Sequence, residues 1–195
     1  MPSELQFNFK GYEIMRIISG TAGGRRLKEP VGESIRPTSD KVKENVFNII
    51  QFDIEGRRVL DLFAGTGQYG IEALSRGARS AVFVDTAADS VRLIKENLKI
   101  SGFSDNAEVY GRDSLRFLDS DDMFDLIFVD PPYDSKLADK AINKISEFDK
   151  LNINGIIICE LKAETPSPKV TPPYILKKEY KYGSVKILRY IREAP

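Results

Sequence analysis

Apolar residues along this chain change their period several times, and each change marks a predicted element. Across 16–27, short apolar pairs flank Gly20, Gly23 and Gly24, which predicts two short strands around a glycine-rich turn. Residues 30–37 begin and end on proline and read as loop. From Ser39 or Asp40 onward, Val42, Val46, Ile49 and Ile50 recur at helical spacing, so a helix starts there. After Gly56 the pattern becomes one of buried strands joined by amphipathic helices. Strands are predicted over 58–63, 80–84, 107–110, 124–129 and 155–160, and helices over 68–76, 88–100, 114–118 and 137–148. In the helix over 88–100, Val91, Ile94 and Leu98 face inward. The runs 174–180 and 185–191 predict a closing antiparallel pair around Tyr182-Gly183.

Strands alternating with helices predict an α/β fold, doubly wound about a mostly parallel sheet, with right-handed crossovers. Ligands in such sheets bind beyond the carboxyl ends of the strands. Residues 1–14 fit no part of the pattern and are expected to be a poorly ordered leader or extension. Residues 15–195 are expected to form one domain, with 15–37 its N-terminal hairpin and loop.

Composition narrows the chemistry. Apolar content of 42% and charged content of 30% are ordinary for a soluble protein. No apolar run approaches the ~20 residues that span a bilayer, and the start lacks a secretory signal. Cys159 is the single cysteine, so an internal disulfide is excluded and a reducing, cytoplasmic compartment is expected. There is no histidine, which removes Ser-His-Asp and Cys-His catalysis and the usual zinc sites. Carboxylates, Lys, Tyr, backbone groups or a bound organic cofactor must carry the reaction, and no metal is expected.

Formal charge is zero overall but unevenly spread. Residues 16–43 hold seven Lys/Arg against three acids, and 177–192 hold six against one, leaving −9 for the rest. Two basic ends around an acidic middle fit a protein whose ends touch phosphates. Solvated strand faces are the plainer account of Lys177, Lys178, Lys181 and Lys186.

The chemistry-bearing motifs fall at predicted carboxyl ends. Asp61-Leu-Phe-Ala-Gly65-Thr-Gly67-Gln-Tyr-Gly70 contains G-x-G-x-x-G between a strand and a helix, and Asp85 follows Gly65 by 20 residues. That spacing suits a dinucleotide and, taken alone, an NAD-dependent oxidoreductase. Asp61 argues otherwise, because a strand carboxylate sits poorly against a pyrophosphate. It suits a ligand carrying an ammonium and a sulfonium, such as S-adenosylmethionine. Asp130-Pro131-Pro132-Tyr133 follows an apolar strand. Its prolines donate no N–H and stiffen the segment, so a carboxylate and free carbonyls stand ready for an amino group. The tyrosine ring can stack on a flat heterocycle.

These two motifs resemble those of class I S-adenosylmethionine-dependent methyltransferases acting on exocyclic amines. Arg16-Ile-Ile-Ser-Gly20, Arg36-Pro-Thr-Ser-Asp40-Lys-Val-Lys-Glu-Asn-Val-Phe-Asn48 and Glu72-Ala-Leu-Ser-Arg-Gly77 are similar to the bacterial RsmD family, over about 15–191. The resemblance implies a seven-stranded, Rossmann-like sheet and N2 methylation of a guanine in 16S rRNA. It also implies a cytoplasmic monomer acting on assembled or assembling small ribosomal subunits. Asp61, Phe63, Gly65 and Gly67 would line the methionine end of S-adenosylmethionine, and Asp85 would hold its ribose. Asp113, with Ser114 beside it, would meet the adenine amine, and Asp130 would also border the cofactor. Arg16, Arg25, Arg36, Thr38 and Lys43 would contact RNA. Thr86-Ala87 and Lys43 depart from the family's usual residues. Alternatives stay open for single positions: Asp85 as a turn residue, Asp113 as a helix N-cap, Cys159 as plain strand core. The tetrapeptide alone also fits a DNA or RNA adenine-N6 methyltransferase.

Overall fold

The structure is a computed structural model and describes residues 15–30, 40–132 and 136–194. Its frame is a seven-stranded sheet in the order β3-β2-β1-β4-β5-β7-β6. The strands are β1 (Arg58–Leu62), β2 (Ser80–Asp85), β3 (Ala107–Gly111), β4 (Phe124–Val129), β5 (Leu151–Lys162), β6 (Tyr174–Tyr182) and β7 (Val185–Arg192). The first five pair in parallel and β7 joins antiparallel to β5 and β6, as the alternation predicts. The helices are α1 (Asp40–Ile49), α2 (Gln68–Ser75), α3 (Ala88–Ser101), α4 (Ser114–Phe117) and α5 (Leu137–Glu147).

Alternating strand residues feed two apolar layers. Val59, Phe83, Phe128 and Ile158 pack under α1, α2 and α3, whereas Leu60, Val82, Val129 and Cys159 pack under α4 and α5. Helices on both faces explain why the parallel strands are almost continuously apolar. The chain runs from β1 outward to β3 and then crosses back to β4 on the other side of β1. The sheet's switch point therefore lies between β1 and β4.

One boundary and two buried helix faces differ from the sequence pattern. β5 begins at Leu151, with a register shift between Phe124 and Leu126 opposite it. Asn152, Asn154 and Gly155 look like a turn in sequence. Asp125 nevertheless accepts from Asn152 Nδ2 at 2.7 Å, and Arg57 Nη1 donates to the Asn154 carbonyl at 3.1 Å, so the irregular stretch stays on the sheet. In α3 the buried stripe is Ser90, Leu93, Ile94, Asn97, Leu98 and Ser101, with Val91 only half-buried. In α1 the buried residues include Lys43, with Val42 and Ile49 half-buried.

The predicted N-terminal hairpin is present as one antiparallel bridge, Arg16 to Arg26, rather than two extended strands. Its apolar residues Met15, Ile17, Ala22 and Leu27 join the layer above α2 and α3. Buried Glu72 of α2 holds it: its carboxylate accepts from Ile18 N at 2.7 Å, Ser19 N at 3.0 Å and Arg76 Nε at 2.8 Å. Ser75 adds Oγ bonds, donating to the Ser19 carbonyl and accepting from Ala22 N. Gly20 has φ +84°, and a Cβ there would lie 1.9 Å from the Ser75 carbonyl oxygen. Gly20→Ala is therefore expected to undock the hairpin and cost on the order of 2 kcal/mol or more, read as a fall in thermal midpoint. An unchanged midpoint would contradict this packing.

Candidate active site

Four segments converge at the carboxyl ends of β1, β2, β3 and β4, and the strand register brings them together. Leu62 lies opposite Val84 on one side and Val129 on the other, and Asp85 lies opposite Gly111. Adjacent strands are about 4.8 Å apart, so the residues just beyond them form one cleft.

The glycine turn is built by its neighbours. Gly65 and Gly67 adopt φ of +54° and +77°, and Phe63, a non-glycine residue, adopts +67° as the strand ends. Positive φ at Phe63 is strained for an L side chain, which marks the place where the backbone leaves the sheet sharply. Gly67 N donates to the Ala64 carbonyl at 2.7 Å, and Gly65 N donates to Asp85 Oδ2 at 2.8 Å. Gly70 has another role: a Cβ there would stand 2.3 Å from the Phe83 ring, so this glycine lets α2 lie on β2.

Asp61 is 2% exposed, and its Oδ2 accepts from Gly70 N in the first turn of α2 at 2.9 Å. Burial pushes its pKa up to about 7; the Gly70 bond pulls down and nearby Asp85 pushes further up. A buried carboxylate facing a helix amino end, with glycines beside it, suits a ligand that brings a cation. Asp85 bonds Gly65 N with one oxygen and Ala87 N with the other, at 2.8 Å each. Each carboxylate oxygen has a second lone pair, so the half-exposed group retains acceptor capacity for a diol. Asp113 is the N-cap of α4, with Oδ1 accepting from Arg116 N at 2.8 Å, and Ser114 beside it is buried. The capping role is thus real, and a second oxygen remains on the exposed side chain. Together these residues fit S-adenosylmethionine: a carboxylate for an ammonium, an acid for a ribose, and backbone turns that admit close approach.

Asp130 follows β4 at the switch point, half-buried, with Pro131 buried and Pro132 exposed. Tyr133, Arg36 and Thr38 lie outside the described residues, as does the predicted leader. Strand alternation places Asp61, Asp130 and Glu160 on the α1–α2 face, at the ends of β1, β4 and β5. Glu160, 4% exposed, accepts from Tyr69 Oη at 2.8 Å, and Tyr69 stacks on Phe128 with centroids 5.1 Å apart. Sequence patterning missed this pair; the signal was a carboxylate in an apolar strand beside Cys159. Burial pushes the Cys159 thiol well above its ordinary range, with Asp130 and Glu160 adding to the effect, so it is strand core and no nucleophile.

The basic residues separate into two groups. Arg16 is exposed, with Nε on Asp40 at 3.2 Å. Arg25 is exposed, yet its Nη1 caps the end of α3 through the Ile100 and Ser101 carbonyls at 3.0 and 2.7 Å. Lys43, expected at the RNA surface, is fully buried: its Nζ donates to the Arg16 carbonyl at 2.6 Å and to Gln68 Oε1 at 3.5 Å. Desolvation lowers its pKa, against the pull of Glu72 and Asp40. Its helical spacing with Val46, Phe47 and Ile50 puts it on the core face, where no phosphate reaches it. In the C-terminal basic run, Arg189, Arg192 and Lys186 pair with Asp53, Asp149 and Glu179. Lys177, Lys178 and Lys181 are exposed on β6, an edge strand that lysines protect from pairing.

Comparison with known proteins supplies independent findings. Residues 15–191 match the family described as Conserved hypothetical protein 95. Ribosomal RNA small subunit methyltransferase D of Haemophilus influenzae is 38% identical over 181 residues, covering 90% of this chain and 93% of that protein. The Escherichia coli protein of the same name is 34% identical over 189 residues, covering 96% and 94%. The solved structure of Escherichia coli yhhF superposes with a TM-score of 0.84 at 32% identity, covering 93% of this chain and 99% of that one.

Proposed function

The chain belongs to the RsmD family of small-subunit ribosomal RNA methyltransferases, and from that premise we propose that it methylates the exocyclic N2 amine of a guanine in 16S rRNA. The coarser activity, methyl transfer to ribosomal RNA, is that of the family; the base and the atom are our reading. The observation that carries it is Asp130-Pro131-Pro132 at the switch point, one strand from the glycine turn.

S-adenosylmethionine, when bound, supplies an electrophilic methyl group. Asp61, Phe63, Gly65 and Gly67 hold its methionine end, Asp85 its ribose, and Asp113 with Ser114 its adenine side. Guanine N2 is conjugated with its ring and is a weak nucleophile. Asp130 and the Pro131 carbonyl accept its two hydrogens, which turns the nitrogen lone pair toward the donor and offsets the positive charge that develops there. We assign to Tyr133 the stacking contact with the base. Alignment supplies most of the acceleration, and no covalent enzyme intermediate is needed.

On the RNA side we assign Arg16, Arg25, Arg36 and Thr38; Lys43, buried in the core, is not among them. Unstacked RNA loops present a base to a site at strand ends, and a small ribosomal subunit presents such loops on a folded surface. A monomer acting in the cytoplasm completes the proposal; among the described residues no helix is long and apolar enough to cross a membrane.

Base identity is tested by mass spectrometry of small-subunit rRNA from a strain lacking the gene. One N2-methylguanine is expected to disappear and to return when purified protein is added to undermethylated subunits. Retention of every N2-methylguanine would sink the assignment, and loss of an N6-methyladenine would favour the adenine reading.

A further inference from the structure

Behind the glycine turn lies a fully buried polar side chain that belongs to none of the motifs. Asn97 of α3 has no exposed surface. Its Oδ1 accepts from Lys28 N at 2.7 Å, and its Nδ2 donates to the Lys28 carbonyl and to the Thr66 carbonyl, at 3.2 Å each. Thr66 is the residue between Gly65 and Gly67, and Lys28 directly follows Leu27, whose N–H makes the hairpin's outermost bond, to the Met15 carbonyl. One amide group thus joins the hairpin to the middle of the turn. Lys43 makes a second link nearby, from the Arg16 carbonyl on the hairpin to Gln68, the residue after Gly67.

A buried amide is costly unless its bonds are met, and here each bond ends on one of two elements that the seven-stranded frame does not itself hold together. Gly65 N of the turn donates to Asp85, and Gly67 N donates within the turn to the Ala64 carbonyl. The Thr66–Gly67 peptide is thus held at both its groups, its N–H within the turn by the Ala64 carbonyl and its carbonyl from α3 by Asn97.

We propose that Asn97 is a positioning residue for methyl-donor binding: it locks the Thr66 peptide of the glycine turn to the docked N-terminal hairpin, so that the hairpin, which carries the exposed Arg16, is part of the donor site. The inference rests on the reading of the glycine turn as the S-adenosylmethionine site. It has a consequence for order within the molecule. Filling the donor site tightens the hairpin, and loosening the hairpin at Asn97 weakens the donor site.

The test measures S-adenosylhomocysteine affinity by calorimetry on the full chain. Asn97→Asp keeps the shape and the acceptor for Lys28 N but sets an oxygen against the Thr66 and Lys28 carbonyls; Asn97→Leu removes all three bonds. Both are expected to raise the dissociation constant about tenfold, the size of one lost buried hydrogen bond. Ser75→Ala removes two bonds to the same hairpin but keeps the Asn97–Thr66 bond, and is expected to lower the thermal midpoint while weakening affinity by no more than about threefold. In the parent protein, S-adenosylhomocysteine is expected to slow hydrogen exchange at the Lys28 amide, a measurement that needs no variant. Unchanged affinity in both Asn97 variants, an equal loss in Ser75→Ala, or unaltered Lys28 exchange would each overturn the proposal. Asp85→Ala separates it from its premise: undiminished affinity there means that the donor site itself is misplaced.

Discussion

Replacing Asp130 with alanine is expected to lower methyl transfer to RNA by about 10²- to 10³-fold while S-adenosylhomocysteine affinity stays within about twofold. The size follows from the role. A preorganised acceptor aimed at charge that develops only on reaction acts mainly on the transition state, so kcat falls and the donor's binding does not. Asp130→Asn is the sharper probe, because the amide keeps an acceptor oxygen but loses the negative charge. It should fall between the parent and the alanine variant. Single-turnover assays with saturating donor and undermethylated small subunits separate this from weaker RNA binding. Asp130 is half-buried at a strand end, and an unchanged thermal midpoint separates loss of activity from unfolding. Full activity in Asp130→Ala would remove the role assigned to this carboxylate.

The sheet was legible because its strands are long apolar runs and its connections are amphipathic helices, and those periods survive in the folded chain. What escaped was polar and buried. Periodicity in α3 finds Ile94 and Leu98 but passes over Ser90, Asn97 and Ser101, although these occupy the same stripe. The face of α1 is likewise turned toward Lys43, an ammonium that the core accepts because the Arg16 carbonyl and Asp40 meet it. Hydropathy assigns such residues to solvent, and only their helical register shows otherwise. The irregular start of β5 escaped for the same reason, since Asp125, Asn152 and Arg57 sustain it through hydrogen bonds between residues far apart in sequence.

For the candidate site, the placement of the glycine turn, Asp85, Asp113 and Asp130 at strand ends was legible because strand ends are easy to find from apolar runs. Charge counting served less well. It grouped Arg16, Arg25 and Lys43 by sign, whereas the structure gives Arg16 to the surface, Arg25 to the end of α3 and Lys43 to the core. Glu72 carried a family resemblance whose physical cause is now visible: its carboxylate is the peg on which the hairpin hangs. The Tyr69–Glu160 pair needed tertiary structure, because the two residues are 91 positions apart.

Donor affinity is expected to rise with pH up to about 7 and then level, with Asp61 as the group responsible. Burial holds the carboxyl at a pKa of about 7, against an ordinary value of 3.8. Below that pH the free protein carries a neutral Asp61, and accepting the ligand's ammonium requires its proton to leave. Each pH unit below 7 then costs about tenfold in S-adenosylhomocysteine affinity, or roughly a hundredfold between pH 7 and pH 5. Stability of the unliganded protein moves the opposite way. A folded-state pKa raised above the unfolded value gives a contribution fully present below pH 3.8 and lost as pH rises through about 7, on the order of 4 kcal/mol in all. Asp61→Asn keeps an acceptor for Gly70 N and removes the titration. Its unliganded form is expected to be more stable than the parent at pH 8, and its affinity to be weak and flat from pH 5 to 8. Calorimetry across that range decides the matter: a parent affinity that does not change with pH, or a slope that persists in Asp61→Asn, excludes Asp61 as the ammonium's partner. With Asp61 as that partner, two of the strand-end carboxylates divide the work by environment. Asp61 is buried deeply enough to stay neutral below about pH 7 until a cation arrives, whereas Asp130, half-exposed at its strand end, would meet an amine that becomes cationic only as the methyl group is transferred.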